Sequence, residues 1–286
     1  MITESGKLYV VATPIGNLGD ISFRAIEVLK QVNLIAAEDT RHVKMLLQHY
    51  GITNKLVSLH QYNEDKVSYL LLEKLRAGES IALVSDAGTP LVSDPGMPLV
   101  KMVKDADLAV VPIPGACALI AALSASGLPV TQFSFEGFLP RTSSARKAFF
   151  NERVMTSKTW AFYESSHRIL ASLQDMAAIM PLDRQIVIAR ELTKLHETIV
   201  KTSLGNALEL VEKNDNMRKG EFVVIVDGAS ADKKKQAITA EQEKLLQVLL
   251  QECSIKTAVA MAVEITGVRK KLLYQAALAM DKKNDG

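Results

Sequence analysis

Short apolar runs alternate with amphipathic stretches through the first half of the chain. Residues 8–12, 32–37, 55–59, 81–84 and 108–111 are mostly apolar and bounded by turn formers, the pattern of strands buried on both faces of a parallel sheet. Helical periodicity fills the gaps. It predicts a helix over 21–31 with Asp20 as N-cap, one over 41–50 closed by Gly51, and one over 63–77 closed by Gly78. After the fifth run, Pro114, Gly115 and Ala116 lead into an Ala-rich helix ending near Ser126. Such βα units in series predict a parallel five-stranded sheet.

The texture changes after a linker at Leu139-Pro140-Arg141. A basic helix over 143–154, strands over 159–163, 185–189, 198–201 and 222–226, and helices over 167–180 and 206–212 predict a mixed sheet in a second α/β domain. Residues 228–236, with Lys233, Lys234 and Lys235, read as a polar linker. Three short helices follow over 241–250, 256–265 and 269–280, the first with Thr239 and Gln242 spaced for a capping box. The expected fold class is α/β, with domains at 1–139 and 140–228 and a three-helix module at 237–286. Residues 108–135 carry no charge, but Pro112, Pro114, Gly115, Gly127 and Pro129 interrupt them, so they predict strand, turn and short helix rather than a membrane span.

Composition narrows the partners only slightly. The chain has 286 residues, 48% hydrophobic and 23% charged, with a net charge of +2, so nucleic-acid contact would have to come from local basic patches. Cys117 and Cys253 lie far apart in apolar contexts and read as reduced thiols of a cytoplasmic chain; no metal cluster is spelled by them. The N-terminus lacks the apolar core of a signal peptide.

The chemistry concentrates at 80–96, SIALVSDAGTPLVSDPG, where an apolar strand runs into a loop of Gly, Pro, Ser and Asp. Ligands dock outside the carboxyl ends of parallel strands, which places Ser85, Asp86, Ala87, Gly88, Thr89 and Pro90 at a binding edge. Gly88 lets a ligand approach the backbone. No lysine or arginine occurs between Arg76 and Lys101, which argues against a nucleoside triphosphate. The first loop, Pro14 to Gly19, mimics a dinucleotide fingerprint with Asp39 beyond it, but Pro14 stands where that motif needs its first glycine. Three loops at one sheet edge suit a single extended, phosphate-free cofactor.

TPIGNLGD, AAEDTRH, HQYNE, VSDAGTPLVSDPG, PGACALIAALSASGLP, EGFLP, YESSHR, ARELTK and KGEFV, in this order, resemble the tetrapyrrole (corrin/porphyrin) methylase family, and more closely its ribosomal RNA branch. The resemblance covers nearly the whole chain. It implies two α/β domains with the cofactor in the cleft between them, a homodimer, and transfer of methyl from S-adenosylmethionine to the ribose 2′-hydroxyl of a cytidine in 16S rRNA of the small subunit. Asp86 with Ser85 to Thr89 would then grip the cofactor, with Pro14 nearby and Pro114, Gly115 and Ala116 as a third wall.

A ribose hydroxyl is a poor nucleophile while protonated, and Asp39, Glu64, Glu164, Glu191 or Lys194 could accept or relay its proton; the sequence does not choose among them. The candidate RNA contacts are Arg41, also readable as an ion pair with Asp39; Arg141, Arg146 and Lys147, also readable as a solvated helix face; and Arg269, Lys270 and Lys271, whose cations at a helix start suit phosphate or are a tolerated basic turn. Three other functions fit parts of the pattern. Methylation of a tetrapyrrole leaves the basic tail without a role, a dehydrogenase is disfavoured by Pro14, and a nucleic-acid-binding regulator leaves the glycine-bearing loops unexplained.

Overall fold

The computed structural model describes residues 5–229 and 238–284. The first sheet is built from β1 (Leu8–Val11), β2 (Leu34–Ala37), β3 (Leu56–Ser58), β4 (Ile81–Val84) and β5 (Val110–Ile113), all parallel, in the order β3-β2-β4-β1-β5. Five helices accompany it: α1 (Phe23–Gln31), α2 (Thr40–His49), α3 (Glu64–Arg76), α4 (Met97–Asp105) and α5 (Ala118–Ala125). Strand alternation sorts the core. Ile35, Ala37, Ala82 and Val84 pack with Ala25 and Leu29 of α1 and Val43 and Leu47 of α2, while Leu34, Ala36, Ile81 and Leu83 pack with Leu71 and Leu75 of α3 and Leu99 and Val103 of α4. Both faces are therefore covered, which is why these strands read as continuous apolar runs.

The second sheet joins β6 (Phe133–Phe138), β7 (Thr159–Ser165), β8 (Gln185–Arg190), β9 (Thr198–Ser203) and β10 (Glu221–Val226) in the order β6-β7-β10-β8-β9. Only β6 and β7 run parallel. Its helices are α6 (Ser143–Arg153), α7 (Ile169–Ala177) and α8 (Leu204–Lys213). Although α5 follows the last strand of the first sheet, its Leu119, Ala122 and Leu123 pack on Ala161, Val187, Ala189, Val223 and Ile225 of the second. The two sheets accordingly fall in one compact unit, residues 1–151 and 159–227. On the opposite face Phe150, Trp160 and Phe162 are fully buried, with the Trp160 and Phe162 rings stacked 5.7 Å apart.

A second compact unit comprises residues 152–158 and the chain from 228 onward. It contains α9 (Ala240–Glu252), α10 (Ile255–Thr266) and α11 (Lys270–Asn284), which bury Leu246, Ala258, Val259, Ala262, Leu273 and Ala277. Thr239 and Gln242 form the expected capping box. The expected linker carrying Lys233, Lys234 and Lys235 lies outside the described residues.

Three local expectations need correction. Ser22, not Asp20, caps α1: its hydroxyl accepts the Ala25 N–H at 3.1 Å, while Asp20 ends a short 3-10 turn. The fifth strand sits at Val110–Ile113, two residues later than its apolar run begins to suggest. Strand β6 was not expected, because Gly137 and the alternating Ser134 and Glu136 broke its apolar run. Among the described residues no helix is long and apolar enough to cross a membrane.

Candidate functional site

The carboxyl ends of the first sheet open into a cavity of about 450 Å³ whose far wall is the second sheet. Each parallel strand but one delivers a residue to it: Ile15 follows β1, Glu38 directly follows β2, Asp86 to Thr89 follow β4, and Cys117 and Ala118 follow β5. Tyr163 and Glu164 of β7, Ala189 of β8, and Phe222 and Val223 of β10 face them. Backbone strain gathers at the rim. Of the five non-glycine residues with positive φ among those described, Leu91 and Ser93 before Asp94, and Glu191 and Thr193 flanking Leu192, hold 74°, 74°, 52° and 66° here, and the fifth, Asp107, follows α4 away from the lining.

The cavity is acidic. Glu38, Asp86, Asp94, Glu164 and Glu221 line it, and among the described residues no lysine, arginine or histidine does. Asp86 is held by the Asp39 N–H, which donates to Oδ1 at 2.9 Å, and by His42 Nδ1, 3.4 Å from Oδ2. Burial pushes Asp94 up to about 6, opposed by a hydrogen bond from Ser85 and reinforced by the charge of Asp86. Burial, then Asp86 and Asp94, also raise Glu38, against a smaller opposing effect of His60. Tyr163 is pushed up to about 12, chiefly by burial and then by Cys117; its hydroxyl accepts the Leu119 N–H at 3.3 Å. Glu164 is satisfied otherwise, by the Ser172 hydroxyl at 2.6 Å, the Ser165 N–H at 2.9 Å and Arg168 Nε at 3.3 Å.

The expected cofactor loop is present but not every member faces the cavity. Asp86, Ala87, Gly88 and Thr89 line it, whereas Ser85 is buried with its hydroxyl oxygen 3.2 Å from the Ala87 carbonyl, an alternative acceptor to Asp94, and Pro90 is buried. Gly88 holds φ +82°, and a Cβ there would lie 3.2 Å from Ile15 Cγ2. Thr13 and Gly88 form an antiparallel bridge that ties the first loop to the fourth. Pro14, Pro114, Gly115 and Ala116 are not among the lining residues: Pro114 and Gly115 are exposed, Ala116 offers its carbonyl to Thr89 Oγ1 at 3.0 Å, and a Cβ on Gly115 would meet Ala12 Cβ at 2.9 Å. The glycine at 16 has a similar packing cause, since its Cβ would sit 2.5 Å from Lys194 Cγ.

The proton acceptors singled out from sequence all lie outside the lining except Glu164. Asp39 caps α2 and pairs with Arg41, Oδ2 to Nη2 at 2.6 Å, and that hydrogen bond holds its carboxyl far below the usual range. Glu64 accepts the Gly96 N–H at 3.0 Å, tying α3 to the strained loop. Burial would raise Glu191, but the Lys194 ammonium at 2.9 Å and the Glu221 N–H at 3.0 Å outweigh it and lower it. Lys194 is raised in turn, its hydrogen bonds to Glu221 and Glu191 outweighing burial. Sequence reasoning missed Glu38, Asp94, Phe138 and Tyr163. Asp94 could have been found as the second aspartate of a loop already judged to bind.

The basic candidates divide. Arg146 is buried and bound to Asp175, Nη2 to Oδ2 at 2.7 Å, so it belongs to the interior and not to a solvated RNA-facing surface. Lys147 reaches the same carboxylate at 3.7 Å. Arg41 is exposed though paired with Asp39, and Arg141 is exposed. In the second unit, Arg269, Lys270 and Lys271 are exposed at the start of α11, where the Arg269 carbonyl accepts the Leu272 N–H at 2.9 Å.

Two five-stranded sheets closing on an acidic, phosphate-averse cavity define the class: residues 7–208 match the family described as Tetrapyrrole (Corrin/Porphyrin) Methylases, and the chain belongs to that family. Residues 236–281 match the domain described as the RsmI C-terminal HTH domain. The chain is 50% identical over 275 residues to the ribosomal RNA small subunit methyltransferase I of Escherichia coli O157:H7, covering 96% of each. It is 48% identical over 279 residues to the protein of the same name from Haemophilus influenzae, covering 98% of this chain and 99% of that one. Uroporphyrin-III C-methyltransferase from Thermus thermophilus, solved with S-adenyl homocysteine, shares the fold at a TM-score of 0.51 and 19% identity, covering 77% of this chain and 97% of that one.

Proposed function

We propose that this protein is an S-adenosylmethionine-dependent methyltransferase that 2′-O-methylates the ribose of a cytidine in 16S rRNA of the small ribosomal subunit, in the cytoplasm and as a homodimer. The observation that carries the cofactor is the cavity lined by carboxylates and, among the described residues, by no lysine or arginine. A nucleotide di- or triphosphate would be repelled there, whereas a ligand with a sulfonium and an ammonium but no phosphate is attracted. When bound, S-adenosylmethionine supplies an electrophilic methyl group. Asp86 and Asp94 offer acceptors for its cationic groups, Gly88 keeps the backbone accessible, and Cys117, Ala118, Ala189, Leu192 and Val223 give apolar walls.

The residues then have two tasks. They hold the acceptor hydroxyl in line, where orientation supplies much of the acceleration, and they take its proton as the oxygen becomes an ether. Asp39, Glu64 and Glu191 are spoken for by a cap, a loop amide and a lysine. Glu38, half-buried in the lining with a raised proton affinity, fits the acceptor role better. The rRNA substrate rests on the near-full-length identity to relatives bearing that name, and the exposed Arg269, Lys270 and Lys271 give the three-helix unit a phosphate-directed face.

Incubation of protein and S-adenosylmethionine with undermodified small subunits, followed by nucleoside mass analysis, tests the reading. It expects 2′-O-methylcytidine within an alkali-resistant dinucleotide. Methyl groups found only on bases would overturn it.

A further inference from the structure

Phe138 ends β6 at the rim of the cavity, with its residue 56% exposed. An exposed ring alone means little. Here, however, the chain uses several devices to aim it. The β6–β7 register shifts between Phe135 and Phe138, and such bulges re-aim a side chain. Gly137 holds φ +67°, a conformation that turns the backbone just before the ring and that residues with a Cβ rarely adopt.

The next three carbonyls are then clamped by two arginines. Arg168 Nη2 donates to the Leu139 and Pro140 carbonyls at 2.7 and 2.9 Å, and Arg146 Nη1 donates to the Arg141 carbonyl at 2.8 Å. Each guanidinium is anchored behind by a buried carboxylate, Arg168 by Glu164 at 3.3 Å and Arg146 by Asp175 at 2.7 Å. Burying the Arg146–Asp175 pair carries a desolvation cost that good geometry and further hydrogen bonds must offset, and the remaining guanidinium donors of Arg146, with those of Arg168, make such bonds to the backbone that follows Phe138. Tyr163 meets the ring edge-on, centroids 5.7 Å apart and planes at 64°, an arrangement that does not cover the face of Phe138 with a parallel ring.

Chemistry selects what that ring meets. The interior repels phosphate, so a polynucleotide must keep its phosphodiesters outside while one ribose comes to the rim. A neutral base beside that ribose can lie on an aromatic face, and exposed Arg141, three residues on, can meet the flanking phosphate. We infer that Phe138, fixed by the Arg146 and Arg168 clamp, is a stacking platform for the unstacked base of the acceptor nucleotide and so positions its 2′-hydroxyl at the cavity. This rests on the rRNA 2′-O-methylation reading for the identity of the acceptor.

Phe138→Leu keeps an apolar side chain but removes the ring; Phe138→Trp keeps a ring. With undermodified small subunits as substrate, the leucine variant should raise KM roughly five- to 150-fold, the range for one base stacked on an aromatic ring. The tryptophan variant should restore it to within about threefold, and calorimetric affinity for S-adenosylmethionine should be unchanged in both. Independently of methyl transfer, an RNA oligonucleotide with pyrrolocytidine at the acceptor position should be quenched by wild type and by Phe138→Trp but not by Phe138→Leu. Unchanged KM and quenching in the leucine variant overturn the platform, as does loss of its cofactor affinity, which would give the ring to the cofactor instead. Quenching by a wild type that transfers no 2′-O-methyl group would uphold the platform and sink the acceptor reading.

Discussion

Asp94 and Asp175 are partly or wholly buried aspartates in the same compact unit, and they have opposite electrostatics. Asp175 is met by the Ser143 hydroxyl at 2.6 Å, by Arg146 at 2.7 Å and by Lys147 at 3.7 Å. Burial pushes it up, yet these partners outweigh burial and bring it below the usual range. Asp94 has the Ser85 hydroxyl, a neighbouring Asp86 and, among the described residues, no basic partner, and it rises to about 6. Charge that the fold uses for itself is neutralised within the fold; charge left uncompensated in a cavity is directed at something the fold does not contain.

Breaking the neutralised side should give the largest effect. Asp175→Ala leaves Arg146 buried without its carboxylate and should cost about 3–5 kcal/mol in unfolding free energy, read by denaturant titration. Cofactor affinity of the folded fraction should stay the same; a destabilisation of only the surface-pair size would mean that Arg146 relaxes to solvent. On the cavity side, Gly88→Val places a β-branched residue at φ +82° against Ile15. It should lower calorimetric affinity for S-adenosylmethionine by about a hundredfold or more, equivalent to roughly 2.7 kcal/mol.

Asp94→Asn sharpens the comparison because its two effects have opposite signs. A charge-assisted contact contributes roughly 1.5–3 kcal/mol, so cofactor affinity should fall about ten- to a hundredfold. Stability should move the other way. Asp94 titrates at about 6 in the folded chain against 3.8 when unperturbed, so the folded state binds more protons between those values and stability declines as pH rises through the window. The asparagine variant, free of that cost, should melt roughly 2–4 °C above wild type at pH 8 and lose the advantage below the window. Equal melting at both pH values would show that Asp94 is not strained by its surroundings.

How far this contrast was legible in the sequence follows from range. The parallel strands and the loop after β4 announce themselves locally, as apolar runs followed by Gly, Pro and Asp. Pairing does not. Nothing near Arg146 distinguishes it from Lys147, because the carboxylate that buries it lies on α7. The pairing of Asp39 with Arg41, two residues on, was readable as one of two alternatives because it is local, but nothing in that neighbourhood shows that Glu38, one residue earlier, lines the cavity. Strand β6 escaped for a different reason: a bulge and a glycine disguise its alternation, and both serve to aim Phe138.

The smallest expected effect concerns charges of the other sign. Arg269, Lys270 and Lys271 stand exposed at a helix start, where cations oppose the macrodipole. Replacing the three by Gln should leave stability and cofactor affinity alone and flatten the salt dependence of subunit binding, by roughly one in slope for each phosphate no longer neutralised. An unchanged slope would assign them to the solvated surface.

Recognition of a cationic, phosphate-free cofactor should rest chiefly on Asp94, the lining carboxylate with no basic partner among the described residues, with Asp86 beside it. Its most direct test is calorimetric titration of the wild-type chain with S-adenosylmethionine at pH 7 and at pH 5, on either side of the Asp94 transition near 6; the ligand's amino group, with an ordinary value near about 8, stays protonated at both. Affinity should fall as pH drops, because protonating Asp94 removes negative charge facing the ligand beside Asp86, Glu38 and Tyr163, and Asp94→Asn should reduce the dependence to what Glu38, also raised by burial, contributes. Binding that is equal or tighter at pH 5, with the fold intact, would contradict the account.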